Sequence, residues 1–216
     1  MQTQTKISTH KIVLLLVFLC AAIITSLFIF HSQHPITKSL AKPLDPEKGM
    51  IFPAARDIKH FELIDANNQK FTLNHLYNHW TLVFFGFTHC AMVCPTTLDL
   101  LKRTYPELHA KYSNLQVLFV SLDPARDNPQ QIKNYLMAYD DSFIGVTGNL
   151  NELRKLQSQL GIFSQRQGSD ANQYQIQHTS SILLINPQGK WAGLFKYGLT
   201  PAEFSKAVDD GIGLLT

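Results

Sequence analysis

The sequence predicts an α/β sandwich built around a mainly parallel central sheet. Segments with the pattern of strands alternate with segments with the pattern of amphipathic helices, and this alternation is typical of the class. Two apolar runs, Leu82–Phe87 and Leu115–Leu122, have the length and composition of buried strands. With 216 residues, the chain is long enough for one ordinary domain with a full core and an additional segment.

The other predicted strands are short and lie between turn signals. Phe61–Ile64 and Lys70–Leu73 flank a polar turn and predict a first hairpin. Further strands are expected at Phe143–Val146, Ser181–Ile185 and Lys190–Tyr197, and the last two are joined by the turn Asn186-Pro187-Gln188-Gly189. The polar, glycine-containing stretch Ser164–Tyr174 is predicted to be a long loop, and such loops are often functional.

The predicted helices have apolar residues spaced by three and four positions. In Thr96 to Tyr112 this spacing joins Leu98, Leu101, Tyr105 and Leu108, and Pro95 suits the first turn, where its missing N–H costs nothing. The remaining helices are expected at Gln130–Ala138, Leu150–Leu160 and Pro201–Asp210, the last with Thr200 as its cap. The sheet of such a fold carries its functional site beyond the carboxyl ends of the strands.

The N-terminal segment predicts a membrane anchor. Residues 12–30 form an apolar run without a charge, preceded by Lys6 and Lys11, and the run is long enough to cross a hydrocarbon core of about 30 Å. A cleaved signal peptide, with an apolar region of about 7–15 residues and a small-x-small cleavage site, is the alternative. We therefore expect a cytoplasmic N-terminus at 1–11, a transmembrane anchor at 12–30, a proline-rich linker at 31–53 and the globular domain at 54–216.

Charge and cysteine content exclude some classes of function. A formal charge of +3 and a pI near 8.7 are too mild to indicate nucleic-acid binding, and no basic stripe is present. Three cysteines are too few for a disulfide scaffold. Because Cys20 lies in the predicted anchor, Cys90 and Cys94 are the only thiols of the domain. If Lys6 and Lys11 set the orientation, the domain faces an extracytoplasmic, oxidising space.

Cys90 and Cys94 directly follow the buried strand Leu82–Phe87. If both lie on the first turn of the next helix, they share one face, beside N–H groups that stabilise a thiolate. Two such thiols form either a soft metal site or a redox pair, and the spacing alone does not decide between them. Thiolate ligands select Cu(I) or zinc, and imidazole suits both metals.

His178 and Asp123 are the residues that could complete a site with these thiols. His178 ends the predicted long loop just before strand Ser181–Ile185; its ordinary interpretation is a loop histidine bonded to the backbone. Asp123 follows strand Leu115–Leu122 and is therefore expected at the same edge of the sheet as Cys90. It either supports the site or simply initiates the turn at Pro124.

A thiol–disulfide reductase on a thioredoxin-like domain is the main alternative to a metal site. The usual redox motif has two residues between its cysteines, whereas this chain has three. Thioredoxins also have a proline before the strand that faces the active site, and here that place is taken by His178-Thr179-Ser180. A thiol peroxidase is the third possibility, but the residues upstream of Cys90 lack the usual Pro-x-x-x-Thr context.

Three ordered blocks of the chain resemble the Sco/SenC family, membrane-anchored copper-binding proteins of cytochrome c oxidase assembly. They are Phe85-Gly86-Phe87-Thr88-His89-Cys90-Ala91-Met92-Val93-Cys94-Pro95, Val120-Ser121-Leu122-Asp123-Pro124-Ala125-Arg126-Asp127-Asn128-Pro129, and His178-Thr179 followed by Leu183-Leu184-Ile185-Asn186-Pro187-Gln188-Gly189. The resemblance extends from about Phe61 to about Asp210. It implies a thioredoxin-like three-layer sandwich with a mixed central sheet.

The resemblance also implies a function and a site. One copper ion, Cu(I) or Cu(II), would be bound per chain by Cys90, Cys94 and His178, with Asp123 beside the site as a supporting or partner-docking group. The protein would be a metallochaperone, rather than an enzyme, that delivers copper to the binuclear copper centre of the oxidase. Its partners would be the copper-site subunit of the oxidase and another copper chaperone or a thiol reductant.

Some details of the resemblance leave the delivery target open. Between the cysteines the family usually has proline and an acidic residue, where this chain has Ala91 and Met92; before the histidine it usually has aspartate, where this chain has Gln177. Family members also act as redox sensors, in which the Cys90–Cys94 pair would form a redox-active disulfide without metal. In either case the expected location is the inner membrane, with a single span and the domain in the periplasm or an equivalent space.

Overall fold

The computed structural model describes residue 16 and residues 18–26, 43–170 and 173–216. The chain divides into two units, of which the first ends at Lys42 and the second runs from Pro43 to Thr216. In the first unit, residue 16 and residues 18–26 are helical. Within the described ranges, no helix is both long enough and apolar enough to span a membrane. The predicted N-terminus at 1–11 and the rest of the predicted anchor lie outside the described residues.

The described residues of the second unit, 43–170 and 173–216, contain ten strands, four α-helices and one short 3₁₀ helix. The strands are β1 (Gly49–Arg56), β2 (Glu62–Asp65), β3 (Lys70–Thr72), β4 (Trp80–Gly86), β5 (Leu115–Ser121), β6 (Ile144–Thr147), β7 (Ser164–Gln167), β8 (Gln175–His178), β9 (Ile182–Ile185) and β10 (Trp191–Phe195). The helices are α1 (Val93–Lys111), α2 (Pro129–Met137), α3 (Leu150–Gln159) and α4 (Pro201–Gly213), and the 3₁₀ helix is Leu73–Leu76.

Eight of the strands form one mixed sheet in the order β1-β10-β9-β4-β5-β6-β2-β3. Strands β4, β5 and β6 are parallel, and the other neighbours are antiparallel. Gly86 at the end of β4 pairs with Ser121 at the end of β5, so the segments containing Cys90 and Asp123 leave the sheet at the same edge. Because β9 runs antiparallel to β4, β9 begins at this same edge.

The sheet is covered on both faces, which makes three layers. All seven residues of β4 are buried, and successive side chains alternate between two hydrophobic clusters, as the pleat requires. Leu82 and Phe84 pack with residues of α1, α2 and α4 on one face. Val83 and Phe85 pack with residues of α3 and the β2–β3 hairpin on the other. The predicted sandwich with a central sheet is confirmed. The expectation of a mainly parallel sheet is wrong, because among the described strands only the β4–β5 and β5–β6 pairings are parallel and the sheet is therefore mixed.

Two parts of the predicted element pattern are wrong. Strand β1 begins at Gly49, within the segment 31–53 that was predicted as a linker, so the folded unit starts before residue 54. It lies at the edge of the sheet, where Pro53 is tolerated, and the prolines of segment 31–53 obscure the strand pattern in the sequence. The predicted long loop Ser164–Tyr174 contains β7, which pairs with β8 in a separate two-stranded hairpin.

Candidate metal centre

The segment between β4 and α1 brings the two cysteines together, but not on one helical face. Helix α1 starts at Val93 and contains Cys94 in its first turn, whereas Cys90 lies in the preceding turn, where its backbone N–H bonds to the carbonyl of Phe87 at 3.3 Å. Met92, the residue at the N-cap, provides no side-chain cap. The sulfur of Cys90 accepts the N–H of Cys94 at 3.4 Å instead. Cys90 therefore caps the helix with its sulfur.

The two thiols differ in acidity because their surroundings differ. The side chain of Cys94, together with the backbone N–H groups of Cys94 and Met92, lowers the pKa of Cys90 to about 3. The same contact with Cys90, together with burial, raises the pKa of Cys94 well above its usual range. In the metal-free protein at neutral pH, Cys90 is therefore a thiolate and Cys94 a thiol that donates to it.

Cys94 is part of the hydrophobic core, with no exposed surface. Its sulfur lies against Gly86: a β-carbon at that position would be only 2.9 Å from the Cys94 Sγ and 2.8 Å from a ring carbon of Phe119. Real β-carbons do not approach other atoms so closely. A glycine at the end of β4 is therefore required for Cys94 to occupy this position.

His178 is the last residue of β8, and its ring is oriented by the backbone. Nδ1 lies 2.9 Å from the carbonyl oxygen of Thr179. Since a carbonyl oxygen only accepts, Nδ1 must carry the proton, and in the neutral ring the lone pair is on Nε2. Nε2 is 3.6 Å from the sulfur of Cys94. The rings of Phe84 and Phe87 meet the imidazole edge-on, each with its centroid 6.1 Å away.

Cys90, Cys94 and His178 together form a cluster suited to one metal ion. Their ligand atoms all lie within 4.8 Å of one another. A metal bound by thiolate at about 2.3 Å and by imidazole at about 2.0 Å keeps neighbouring ligand atoms about 3.5–4.5 Å apart, so the cluster needs little adjustment. Two sulfurs and one nitrogen form a soft donor set, which favours Cu(I) or zinc over hard cations.

Comparison with known proteins identifies a family whose matched region contains this cluster. The sequence profile of the SCO1/SenC family matches residues 52–212, a range that begins within β1, ends within α4 and contains all three clustered side chains. The chain belongs to the SCO1/SenC family. A protein of Stutzerimonas stutzeri that is named for copper binding is 38% identical over 151 residues, which cover 69% of this chain and 74% of that protein. A SCO2-like protein of Rickettsia typhi is 33% identical over 186 residues, which cover 84% of this chain and 92% of that protein.

Solved SCO1/SenC structures share the fold. The apo Sco1 of Thermus thermophilus superimposes with a TM-score of 0.66 and 31% identity, covering 78% of this chain and 96% of that one. The copper-bound ScoI of Bradyrhizobium japonicum gives a TM-score of 0.64 and 30% identity, covering 72% of this chain and 97% of that one. The mixed α/β fold with its central sheet is thus that of the thioredoxin-like Sco structures.

Asp123 lies beside the cluster but is not part of it. Its carboxylate is only 3% exposed, and it accepts hydrogen bonds from the hydroxyl of Tyr174 and from Nε of Arg126, the latter at 2.6 Å. Arg126 also stacks on the ring of Tyr174 and donates to its backbone carbonyl. Tyr174 immediately precedes β8, so Asp123 holds in place the hairpin that ends in His178. The buried carboxylate presents no surface for docking a partner.

Asp127 is a second buried carboxylate, which the sequence did not single out. It accepts the backbone N–H of Thr88 at 2.9 Å and the hydroxyls of Thr88 and Ser121 at 2.6 Å each. These bonds tie the turn that contains Cys90 to the end of β5. The sequence does contain a signal for Asp127, since it is the second aspartate in one short turn after an apolar strand. A carboxylate buried in such a turn needs hydrogen-bond partners from other segments.

Proposed function

We propose that this protein is a copper metallochaperone that binds one Cu(I) ion through Cys90, Cys94 and His178. The observation that carries the proposal is the convergence of these three ligand atoms within 4.8 Å. The copper-bound state of the ScoI from Bradyrhizobium japonicum supports copper rather than zinc as the ion. Asp123 would act through the β7–β8 hairpin, by fixing the position of His178.

The residues of the chain account for binding and for release. Cys90 is ready to bind as a thiolate, Cys94 loses its proton to solvent when it binds, and Thr179 keeps Nε2 of His178 available. Three ligands leave Cu(I) open to a fourth donor from a partner. We propose that this partner is the copper-site subunit of a cytochrome c oxidase, with another copper chaperone or a thiol reductant acting before it.

Copper titration of ligand variants tests the proposed site. Full-length protein in a Cys20→Ser background, which removes the third thiol, is expected to bind one Cu(I) per chain. Cys90→Ser, Cys94→Ser and His178→Ala are each expected to lower the affinity by at least about tenfold, since each removes one ligand. His60→Ala, which changes an exposed histidine, is the matched control. Full-strength binding by His178→Ala would remove His178 from the site.

A metal-free thiol–disulfide reductase is the second candidate function. The observation in its favour is the pairing of an acidic, half-exposed Cys90 with a buried Cys94 that retains its proton, because a nucleophilic and a resolving thiol need this difference. Catalytic reduction of a disulfide substrate by the copper-free protein, at a rate lowered by bound Cu(I), would favour this function over copper delivery.

We also propose that the N-terminal apolar run anchors the protein in the inner membrane, with the domain on the periplasmic side. The absence of charge over residues 12–30 and the two lysines before it support this orientation. Protease treatment of spheroplasts tests it, with cytoplasmic and periplasmic marker proteins as controls. Digestion of the domain in intact spheroplasts is expected; protection of the domain would contradict the orientation.

A further inference from the structure

Two more side chains with donor atoms for copper lie on the exposed rim of the site. His89 and Met92 are the neighbours of Cys90 and Ala91 in the turn before α1, and both are exposed. Neither belongs to the cluster of Cys90, Cys94 and His178. They therefore add an exposed imidazole and an exposed thioether next to Cys90 along the chain.

The hydrogen bonds around His89 determine which of its nitrogens is available. The hydroxyl of Thr88 gives its only proton to Asp127 at 2.6 Å. Nδ1 of His89 lies 3.0 Å from the same hydroxyl oxygen, so Nδ1 must be the donor in that contact. In the neutral ring the lone pair is therefore on Nε2, as it is in His178. Asp127, Thr88 and His89 form a chain of the kind that orients metal-binding histidines in other proteins.

Met92 is fixed at its backbone while its side chain stays in solvent. Its carbonyl accepts the N–H and the hydroxyl of Thr96, at 3.1 and 2.9 Å, and its N–H is directed at the sulfur of Cys90. The side chain is 69% exposed. A flexible, polarisable thioether is a soft ligand of the kind that Cu(I) accepts.

Exposure decreases in steps from Met92 to Cys94. Met92 is 69% exposed, the side chain of His89 is 43% exposed, Cys90 is half-buried, and Cys94 has no exposed surface. A carrier that still holds Cu(I) cannot bring one of its own ligands to Cys94 directly. Exchange of the ion between two proteins through shared ligands therefore begins at exposed donor atoms and not at Cys94.

We propose that Met92, His89 and Cys90 form an outer Cu(I) site, through which the ion passes on its way to Cys94 and His178. This proposal rests on the proposed copper-binding function. Met92 and His89 bind Cu(I) as ligands of the carrier leave, and the thiolate of Cys90 completes the outer set. Cys94 and His178 then replace Met92 and His89, and the thiol proton of Cys94 goes to solvent. Copper remains Cu(I) throughout, and Cys90 stays bound in both sets.

The rate of Cu(I) transfer tests the outer site. An intermediate site changes the rates at which the protein takes up and loses Cu(I), but it does not change the dissociation constant of the final complex. In the full-length Cys20→Ser protein, Cu(I) is delivered from its bicinchoninate complex and later withdrawn by the same chelator, with the chelator absorbance followed by stopped flow. Met92→Leu and His89→Gln are each expected to slow both directions about tenfold, with the same dissociation constant. Met137→Leu, in which the methionine is 62% exposed, and His60→Gln are the matched controls.

A direct reading of the outer site comes from methionine methyl groups labelled with ¹³C. In a Cys94→Ser variant, which removes one ligand from the cluster of Cys90, Cys94 and His178, added Cu(I) is expected to shift the methyl signal of Met92 and not those of Met50 and Met137. The shift should disappear when His89→Gln is added. An unshifted Met92 signal, or transfer rates in Met92→Leu equal to those of Met137→Leu, would overturn the outer site and leave the proposed function standing. Wild-type protein that fails to bind Cu(I) would overturn both.

Discussion

At the scale of single residues, the site depends on the contrast between two thiols that are close in sequence. Cys90 caps helix α1 with its sulfur, while Cys94 lies in the core against Gly86. The first is stabilised as a thiolate by the donors around it, and the second is held as a thiol by burial and by its partner. The same pair is thereby suited to bind a soft ion and to exchange disulfides.

The low pKa of Cys90 predicts an unusual pH profile for alkylation. In the folded, reduced and metal-free protein, Cys90 should react with iodoacetamide at a nearly constant rate from about pH 8 down to about pH 5, because its pKa of about 3 lies below this window. An ordinary thiol, with a pKa of about 8.5, should slow about tenfold per pH unit over the same window. Peptide mapping by mass spectrometry assigns the modified residue.

The control for this experiment is the same protein in denaturant, where Cys90 should recover the ordinary profile. The sign of the linked stability also follows. A thiol with a lower pKa in the folded state contributes fully to the free energy of unfolding above about pH 8.5, and this contribution is lost as the pH falls towards 3. A folded-state alkylation rate that falls steeply below pH 8 would contradict the assignment.

The sequence indicated some residue roles and not others. Cys90, Cys94 and His178 stood out because of residue type, position after strands and likeness to a family. The cap made by the Cys90 sulfur and the anchoring of Thr88 by Asp127 depend on contacts across the fold. Thr88 and Asp127 are 39 residues apart, and a local pattern carries no information about such a pair.

At the scale of elements, the hairpin of β7 and β8 controls the position of the third clustered residue. Its strands pair only with each other in the part of the chain that the structure describes. The hairpin is attached to the domain by Tyr174, which bonds to Asp123, and at its base by reciprocal bonds between Phe163 and Thr179. These polar contacts act with the packing of Ile176 and the rings of Phe84 and Phe87 to position His178.

Removing one of these contacts should loosen the hairpin without unfolding the domain. In Tyr174→Phe the hydrogen bond to the Asp123 carboxylate is lost, and we expect amide exchange at 164–167 and 175–178 to accelerate about tenfold or more. Strands β4 and β5 should keep their protection. Hydrogen exchange measured by mass spectrometry follows each segment, with Tyr197→Phe, which alters an exposed tyrosine, as the control. Equal exchange in the two variants would contradict the anchoring role of Tyr174.

The elements with strong periodicity were predicted closely, and those without it were missed. Helix α4 begins at Pro201 with Thr200 as its cap, as the sequence indicated. Strand β7, with the sequence Ser-Gln-Arg-Gln, has no apolar alternation and forms because β8 is available to pair with it. Strand β1 likewise depends on β10, which lies more than a hundred residues further along the chain.

At the scale of the whole molecule, the domain is closed by a strand from the start of the second unit. Phe52 of β1 is buried and meets the ring of Trp191 at a centroid distance of 4.8 Å. Arg56 lies over the ring of Phe52 at 4.1 Å. Beyond its packing, β1 covers the edge of β10, and an uncovered edge strand is a template for aggregation.

Truncation before β1 should leave the domain monomeric and stable, whereas truncation after β1 should destabilise it. A chain of residues 43–216 is expected to be monomeric and to unfold cooperatively, since it contains the complete second unit. A chain of residues 57–216 lacks β1 and with it the packing of Phe52, which alone is worth about 3–5 kcal/mol of a typical total of about 5–15 kcal/mol. Size-exclusion chromatography and thermal unfolding measure both. A monomeric, equally stable 57–216 chain would contradict the structural importance of β1.

The separate hairpin has a consequence for how this domain can diversify. Two of the clustered residues follow β4 of the central sheet, where Cys94 is buried against Gly86, whereas the third is carried by a hairpin outside the main sheet. Changes in the length or sequence of that hairpin can withdraw or replace the imidazole while the dithiol and the fold persist. The thiol pair and the imidazole lie on different structural units. The thiol pair can therefore be conserved in evolution while the metal specificity changes.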